Sequence, residues 1–238
     1  MSALAVLNAE RVKLTTTRSP LWAAIAVAVL SLGLAAVQAS TVYGPGPLEP
    51  QKAAMGVAVF GVPVLMILSA LTVTNEYRSG LIRTTFMAVP NRTLVLAAKA
   101  TVAAAFSSFY AAVMVAASIV VAHSHLEWRL VGGIALYAAL AAVVGVAVGA
   151  LFRASAGAVA VLLLWPLVAE PLLGNMPNIS TQVGPYLPFG NAFRFIDVTW
   201  LYPYYAMPWG LLGSIVYFAG VAAVLFVAAL VTVNRRDA

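Results

Sequence analysis

Five long stretches of this chain carry no Asp, Glu, Lys or Arg: residues 21–48, 53–75, 100–126, 130–152 and 198–234. A sixth, 154–175, is interrupted only by Glu170. A helix rises about 1.5 Å per residue and the bilayer's hydrocarbon core is about 30 Å thick, so each stretch is long enough to cross it. In water, these runs would leave apolar faces too broad to cover. Composition agrees: 8% of residues are charged, against about 25% in a soluble domain. The fold class expected is an all-α polytopic membrane protein. Its six transmembrane helices fall near 21–42, 53–74, 94–122, 130–151, 155–174 and 210–233, in one transmembrane domain covering 1–238. The apolar stretch of the first span is longer than a signal-peptide core, so it is read as retained despite the cleavage-like Val37-Gln38-Ala39.

The basic residues orient these spans. With both termini cytoplasmic, the inside set is Arg11, Lys13, Arg18, Arg78, Arg83, Arg92, Lys99, Arg153, Arg235 and Arg236; the outside set is Lys52, Arg129 and Arg194. Ten of 13 on one side fits the excess of Lys and Arg in cytoplasmic loops. The net charge of +6 is thus explained by topology, and nucleic acid is not an expected partner.

Outside the spans, residues 1–19 are expected to form an N-terminal interfacial helix. Leu4, Leu7, Arg11 and Leu14 share one face, with Glu10 and Lys13 on the polar side. The connection at 43–51 is a turn-rich external loop of Pro and Gly. The segment 175–209 is unlike an ordinary loop, with five prolines and nine aromatics between Tyr186 and Trp209. Tyr and Trp favour the membrane–water interface. Two readings stand: an external re-entrant element, or an aromatic belt anchoring the sixth span. Within it, Asn191 to Trp200 is expected to form a short helix with Arg194 and Asp197 paired at i, i+3.

Catalytic chemistry is sparsely represented. Without cysteine there is no disulfide, thiolate nucleophile or cysteine metal site. His123 and His125, the only histidines, sit two apart and share no helical face, so no metal site is expected. No Gly-x-x-x-x-Gly-Lys-Ser/Thr phosphate loop occurs, so the chain is not expected to be an enzyme by itself. Glu170, between Pro166 and Pro171, is the one acid inside a span. Such a group faces a bundle interior or cavity. It is either a substrate-path residue or a carboxylate bonded to freed backbone N–H groups or to Arg194. Gly145 and Gly149 form a Gly-x-x-x-Gly pair for close helix packing, within or between subunits.

The most concentrated charge lies between spans two and three, in the cytoplasmic loop 75–92: Asn75-Glu76-Tyr77-Arg78-Ser79-Gly80-Leu81-Ile82-Arg83-Thr84-Thr85, closed by Pro90-Asn91-Arg92. Asn75 is placed to cap a short helix, with Glu76 at its positive end. Pro90 stops it before the third span.

Glu76, Gly80, Arg83, Thr84, Thr85 and Pro90-x-Arg92 together resemble the membrane subunit of the ABC type-2 exporter class, whose fold is shared with the G-subfamily half-transporters. The opening Glu10-Arg11-x-Lys13-Leu14-x-Thr16-x-Arg18-Ser19-Pro20-x-Trp22 is similar to many such permeases, as are Trp165-Pro166-x-x-x-Glu170-Pro171 and Leu187-Pro188-Phe189. The likeness runs over the whole chain. It implies that Glu76, Tyr77, Arg78, Gly80, Arg83, Thr84 and Thr85 form a coupling helix that docks on a separate ATPase subunit. Two ATPases would carry ATP and Mg, this chain having no cofactor of its own, and a second permease, identical or homologous, would complete the assembly. It implies a multidrug-, lipid- or peptide-type exporter in a bacterial plasma membrane. Spans two and five would line the path, with Met55, Phe60, Met66, Trp165 and Glu170 as candidate contacts, and the element carrying Arg194 and Asp197 would be an external gate. The alternative is a stand-alone proton-coupled secondary transporter using Glu170.

Overall fold

The computed structural model describes residues 2–41, 47–198, 200–203 and 205–235. Arg236, residues 43–46 of the Pro/Gly connection, and Thr199 and Tyr204 of the aromatic segment lie outside the described residues. Among the described residues the chain is all helix, with no strand, and six helices are long and apolar enough to cross a membrane. They are Ser19–Ser40, Pro50–Ser79, Arg92–Val121, Trp128–Phe152, Ser155–Asn175 and Leu211–Arg235. This is a multi-pass membrane protein. Three shorter helices position its functional parts. They are an N-terminal helix (Ala3–Thr16), a loop helix between the second and third spans (Leu81–Ala88), and a helix between the fifth and sixth (Pro188–Ile196).

The second and fourth spans form the centre of the bundle and are mostly buried; the first, fifth and sixth present most of their surface outward. Small residues set this arrangement. A Cβ on Gly145 would overlap the Met66 carbonyl oxygen, and one on Gly149 would stand 2.7 Å from that of Ala70. The Gly-x-x-x-Gly pair therefore packs within the chain, bringing the fourth span's backbone against the second. Without a hydrophobic drive between helices in lipid, such close van der Waals approach is what holds spans together.

Proline disturbs two spans. A π-helical stretch, Val57–Gly61, precedes Pro63, and another, Trp165–Ala169, precedes Pro171. A proline ring clashes with the carbonyl four residues earlier and supplies no N–H, so the preceding turn widens.

At one end of the bundle, Tyr137 of the fourth span is fully buried beneath three edge-on rings. Phe189 and Phe193 come from the Pro188–Ile196 helix and Phe218 from the sixth span, with centroids 6.4, 5.9 and 5.7 Å away. This aromatic cluster fixes the helix to two spans. The helix ends at Ile196, before Trp200, because Asp197 takes a left-handed conformation at φ 57°.

The N-terminal helix turns a different face inward from the one its leucines suggest. Val6, Glu10 and Leu14 are buried, Lys13 is half-buried, and Leu4 and Arg11 are exposed. The expected polar side faces the protein, because acidic and basic partners wait for it there.

Candidate functional site

Glu76 lies in the last turn of the second span, Lys99 two turns inside the third, and Glu10 and Lys13 on the N-terminal helix. Their side chains close into a ring. Lys99 Nζ donates to Glu10 Oε2 and to Glu76 Oε1, both at 2.6 Å. Lys13 Nζ donates to Glu10 Oε1 at 2.7 Å and to Glu76 Oε1 at 2.9 Å. Two carboxylates and two ammoniums alternate, so the ring is electrically neutral. Glu10, Glu76 and Lys99 are buried. Burial alone makes Lys13 give up its proton more readily. Its hydrogen bonds to Glu10 and Glu76 and their charges outweigh that, raising its pKa above the ordinary 10.5.

A buried ion at a helix end is tolerable only when paired and hydrogen-bonded. The ring meets that condition except at Glu76 Oε2, which is buried without a hydrogen-bond partner. A cavity of about 180 Å³ adjoins the ring, walled by Leu14, Thr72, Asn75, Leu81 and Val102. It runs from the four charges to the first residue of the loop helix.

The loop helix begins where the second span stops. Gly80, at φ 73°, takes the left-handed conformation that ends a helix, at little cost for a residue without Cβ. Asn75 and Glu76 therefore belong to the last turn of the second span. They do not cap the loop helix, as the sequence suggests; Gly80 occupies that place. Ile82 is buried and Phe86 half-buried against Val73, Tyr77, Val95 and Leu96. The Arg92 guanidinium covers the Phe86 ring at 5.2 Å and donates to the Val233 carbonyl at 2.8 Å, tying the loop to the end of the sixth span. Arg153, left-handed at φ 56°, covers Tyr77 at 4.9 Å. After Ala88 the helix stops, and Val89-Pro90 leads to Asn91, whose side chain caps the third span through Leu94 N.

The predicted coupling residues thus divide into two groups. Glu76 is buried in the ring, and Tyr77 and Thr85 are partly covered. Arg78, Gly80, Arg83 and Thr84 are exposed. Leu81 and Met87, 56% and 75% exposed, add an apolar component that the sequence reading did not select.

At the other end of the bundle, Glu170 is 0% exposed. Trp165 Nε1 donates to Oε1 at 2.8 Å; the backbone N–H groups of Phe189 and Gly190 donate to Oε2 at 2.9 and 3.2 Å. The last two belong to the first turn of the Pro188–Ile196 helix, the positive end of its dipole. Glu170 therefore caps that helix from the fifth span. Of the partners expected of it, backbone N–H groups serve, those of Phe189 and Gly190, and among the described residues Arg194 does not.

Arg194 donates to the Trp209 carbonyl at 2.8 Å and to Ser214 Oγ at 3.1 Å. Among the described residues it forms no ion pair with Asp197, correcting the expected i, i+3 pair. Asp197, in its left-handed turn past the helix end, lines a surface cavity of about 580 Å³ with Glu49, Lys52, His125, Glu127 and Trp200.

Of the five expected path contacts, the structure brings Trp165 and Glu170 together through their hydrogen bond and sets the other three apart from them. Met55 borders that same cavity, Phe60 meets Trp200 edge-on at 6.2 Å, and Met66 is locked in the contact between second and fourth spans. Trp165 is half-exposed on the outer face of the fifth span, and Glu170 is sealed. Among the described residues, no group of three His, Cys, Asp or Glu side chains is placed to hold a metal ion.

Sequence reasoning missed Glu10, Lys13 and Lys99 as a site. The available signal was Lys99 itself, an ammonium seven residues inside an apolar span. Such a group demands an acidic partner. No protein-family model matches the sequence, and no curated protein matches it.

Proposed function

We propose that this chain is the membrane-spanning permease subunit of an ATP-driven exporter of the ABC type-2 class. In this reading the loop helix Leu81–Ala88 is the coupling helix, and it sits on the cytoplasmic side with both termini. It docks on a separate ATPase subunit that carries ATP and Mg. Two ATPases and a second permease, identical or homologous, complete the assembly in a bacterial plasma membrane. The cargo is a lipophilic drug, lipid or peptide. The N-terminal helix lies in the membrane interface, and the segment around Pro188–Ile196 is the external element beside the gate.

One observation carries this reading. The loop helix projects an exposed mixed face of Leu81, Arg83, Thr84 and Met87, while its other face is fastened by Ile82 and Phe86 to the ends of the second, third and sixth spans. The same end of the second span is joined through Glu76 to the third span and the N-terminal helix. A push on that face is therefore delivered to several helices together. A helix of this kind suits a moving partner better than a passive loop.

The alternative, a proton-coupled secondary transporter, needs Glu170 to exchange protons with water. Both of its oxygens already accept N–H donors and it has no solvent exposure. That setting favours a structural role.

Affinity purification of the chain from its native host in mild detergent, with an ATPase assay on the product, tests the proposal. A stoichiometric ATPase whose turnover changes on Met87→Glu supports it. A chain that purifies alone after crosslinking, without nucleotide hydrolysis, overturns it.

A further inference from the structure

A groove of about 480 Å³ runs between the N-terminal helix and the third span on the surface of the protein. Leu7, Leu14, Val102, Phe106 and Phe109 form its apolar walls, and Arg11 stands at its rim with Asn8 and Thr15. Phe109 is 72% exposed, and Ala105 beside it is exposed too.

The charge on this groove is one-sided. Both oxygens of Glu10 are taken by Lys13 and Lys99, and Glu76 binds the same two lysines. No acid lines the groove, and among the described residues no carboxylate pairs with Arg11. The ion ring thus neutralises the inner face of the N-terminal helix and leaves Arg11 as the one charged side chain of the groove.

The groove also continues in one direction. From Phe109 at its edge, Val113 and Val120 continue an exposed apolar line up the third span. From Ala105 to Val113 is eight residues, about 12 Å of helix. That is close to the depth of one leaflet, about 15 Å of hydrocarbon. Only Thr17 and Arg18 separate the N-terminal helix from the first span, so Arg11 stands close to where that span begins, and the apolar line runs away from it along the third span.

We infer that this groove holds an anionic phospholipid, its phosphate against Arg11 and one acyl chain along Val102, Phe106, Phe109 and Val113. An apolar slot alone would suit any lipid; the unneutralised guanidinium at its mouth selects for negative charge. The bound lipid braces the N-terminal helix against the third span on the side opposite the ion ring. The inference is independent of the exporter proposal, since it needs only a membrane.

Native mass spectrometry of the full-length chain in neutral detergent, with equimolar phosphatidylglycerol and phosphatidylcholine, tests it. The wild type should retain phosphatidylglycerol several-fold over phosphatidylcholine. Arg11→Gln should bring that ratio close to one, with elution unchanged. Arg18→Gln, a change at an exposed arginine outside the groove, should preserve the ratio. Ala105→Trp, which fills the groove from an exposed position, should lower occupancy by both lipids several-fold. Equal retention of the two lipids by the wild type would overturn the inference. So would an Arg18→Gln effect as large as that of Arg11→Gln, or full occupancy in Ala105→Trp. A second copy seated in the groove would appear as a dimer that Ala105→Trp dissociates, and would overturn it too.

Discussion

Lys99 Nζ stands 2.6 Å from Glu76 Oε1, joining the third span to the last turn of the second across 23 residues of chain. Gly80 follows Glu76 by four residues and the loop helix begins at the next one, Leu81, so this bond lies at the root of the exposed face. The N-terminal helix is drawn into the same bond, since Glu10 and Lys13 complete the ring.

Losing one member of a buried ion pair leaves its partner uncompensated, at about 3–5 kcal/mol. Lys99→Met should therefore lower the unfolding midpoint of the detergent-solubilised chain strongly. The double variant Lys99→Met/Glu76→Gln retains the balanced Glu10–Lys13 pair and should lose less than Lys99→Met alone. Thermal unfolding of the three proteins checks the order; a double variant less stable than the single would dissolve the ring as an energetic unit.

Gly145→Ala should destabilise by about 1–3 kcal/mol or more, because the new methyl must displace the backbone of the second span. Gly132→Ala in the same helix meets nothing within 4 Å and should be neutral or slightly stabilising through helix propensity. Comparing the unfolding midpoints of the two variants tests whether helix packing or mere glycine loss is at stake.

Glu170→Gln keeps the shape of the side chain but turns an NH2 group toward one of three N–H donors. An unsatisfied buried donor costs about 1–3 kcal/mol, and the first turn of the Pro188–Ile196 helix loses an acceptor for one of its N–H groups if the new NH2 faces it. Lower stability and shifted Trp165 fluorescence are expected. Unchanged stability with transport abolished would instead mark a residue of the path.

The six spans, the glycine pair and the break near Pro90 were legible because each rests on local chemistry: apolar length, small side chains, a ring that forbids helix. The ion ring was not, because its members lie at positions 10, 13, 76 and 99 and only the packing of three helices brings them together. Amphipathic reasoning misassigned the N-terminal helix for the same reason. Glu10 and Lys13 look solvent-facing until Lys99 and Glu76 are known to lie opposite. Glu170 was flagged as buried and in need of partners, but two of its three donors come from Phe189 and Gly190, which no spacing rule links to it.

The raised pKa of Lys13 gives a pH dependence of definite sign. Its stabilising contribution is complete below the ordinary value of 10.5 and is lost as pH rises through the higher folded-state value. The unfolding midpoint of the wild type should fall above pH 10.5 more steeply than that of Lys13→Met, when both are followed from pH 9 upward. Parallel curves would remove Lys13 from the ring's energetics.

The loop helix as a docking surface is tested most directly by placing a photo-crosslinking amino acid at Met87, the most exposed apolar side chain of that helix. The protein is expressed in its native host and illuminated in intact cells. One dominant adduct with an ATPase subunit is expected, reduced when Arg83→Glu reverses the neighbouring charge. Adducts with lipid alone, or none despite normal expression, would contradict that docking role.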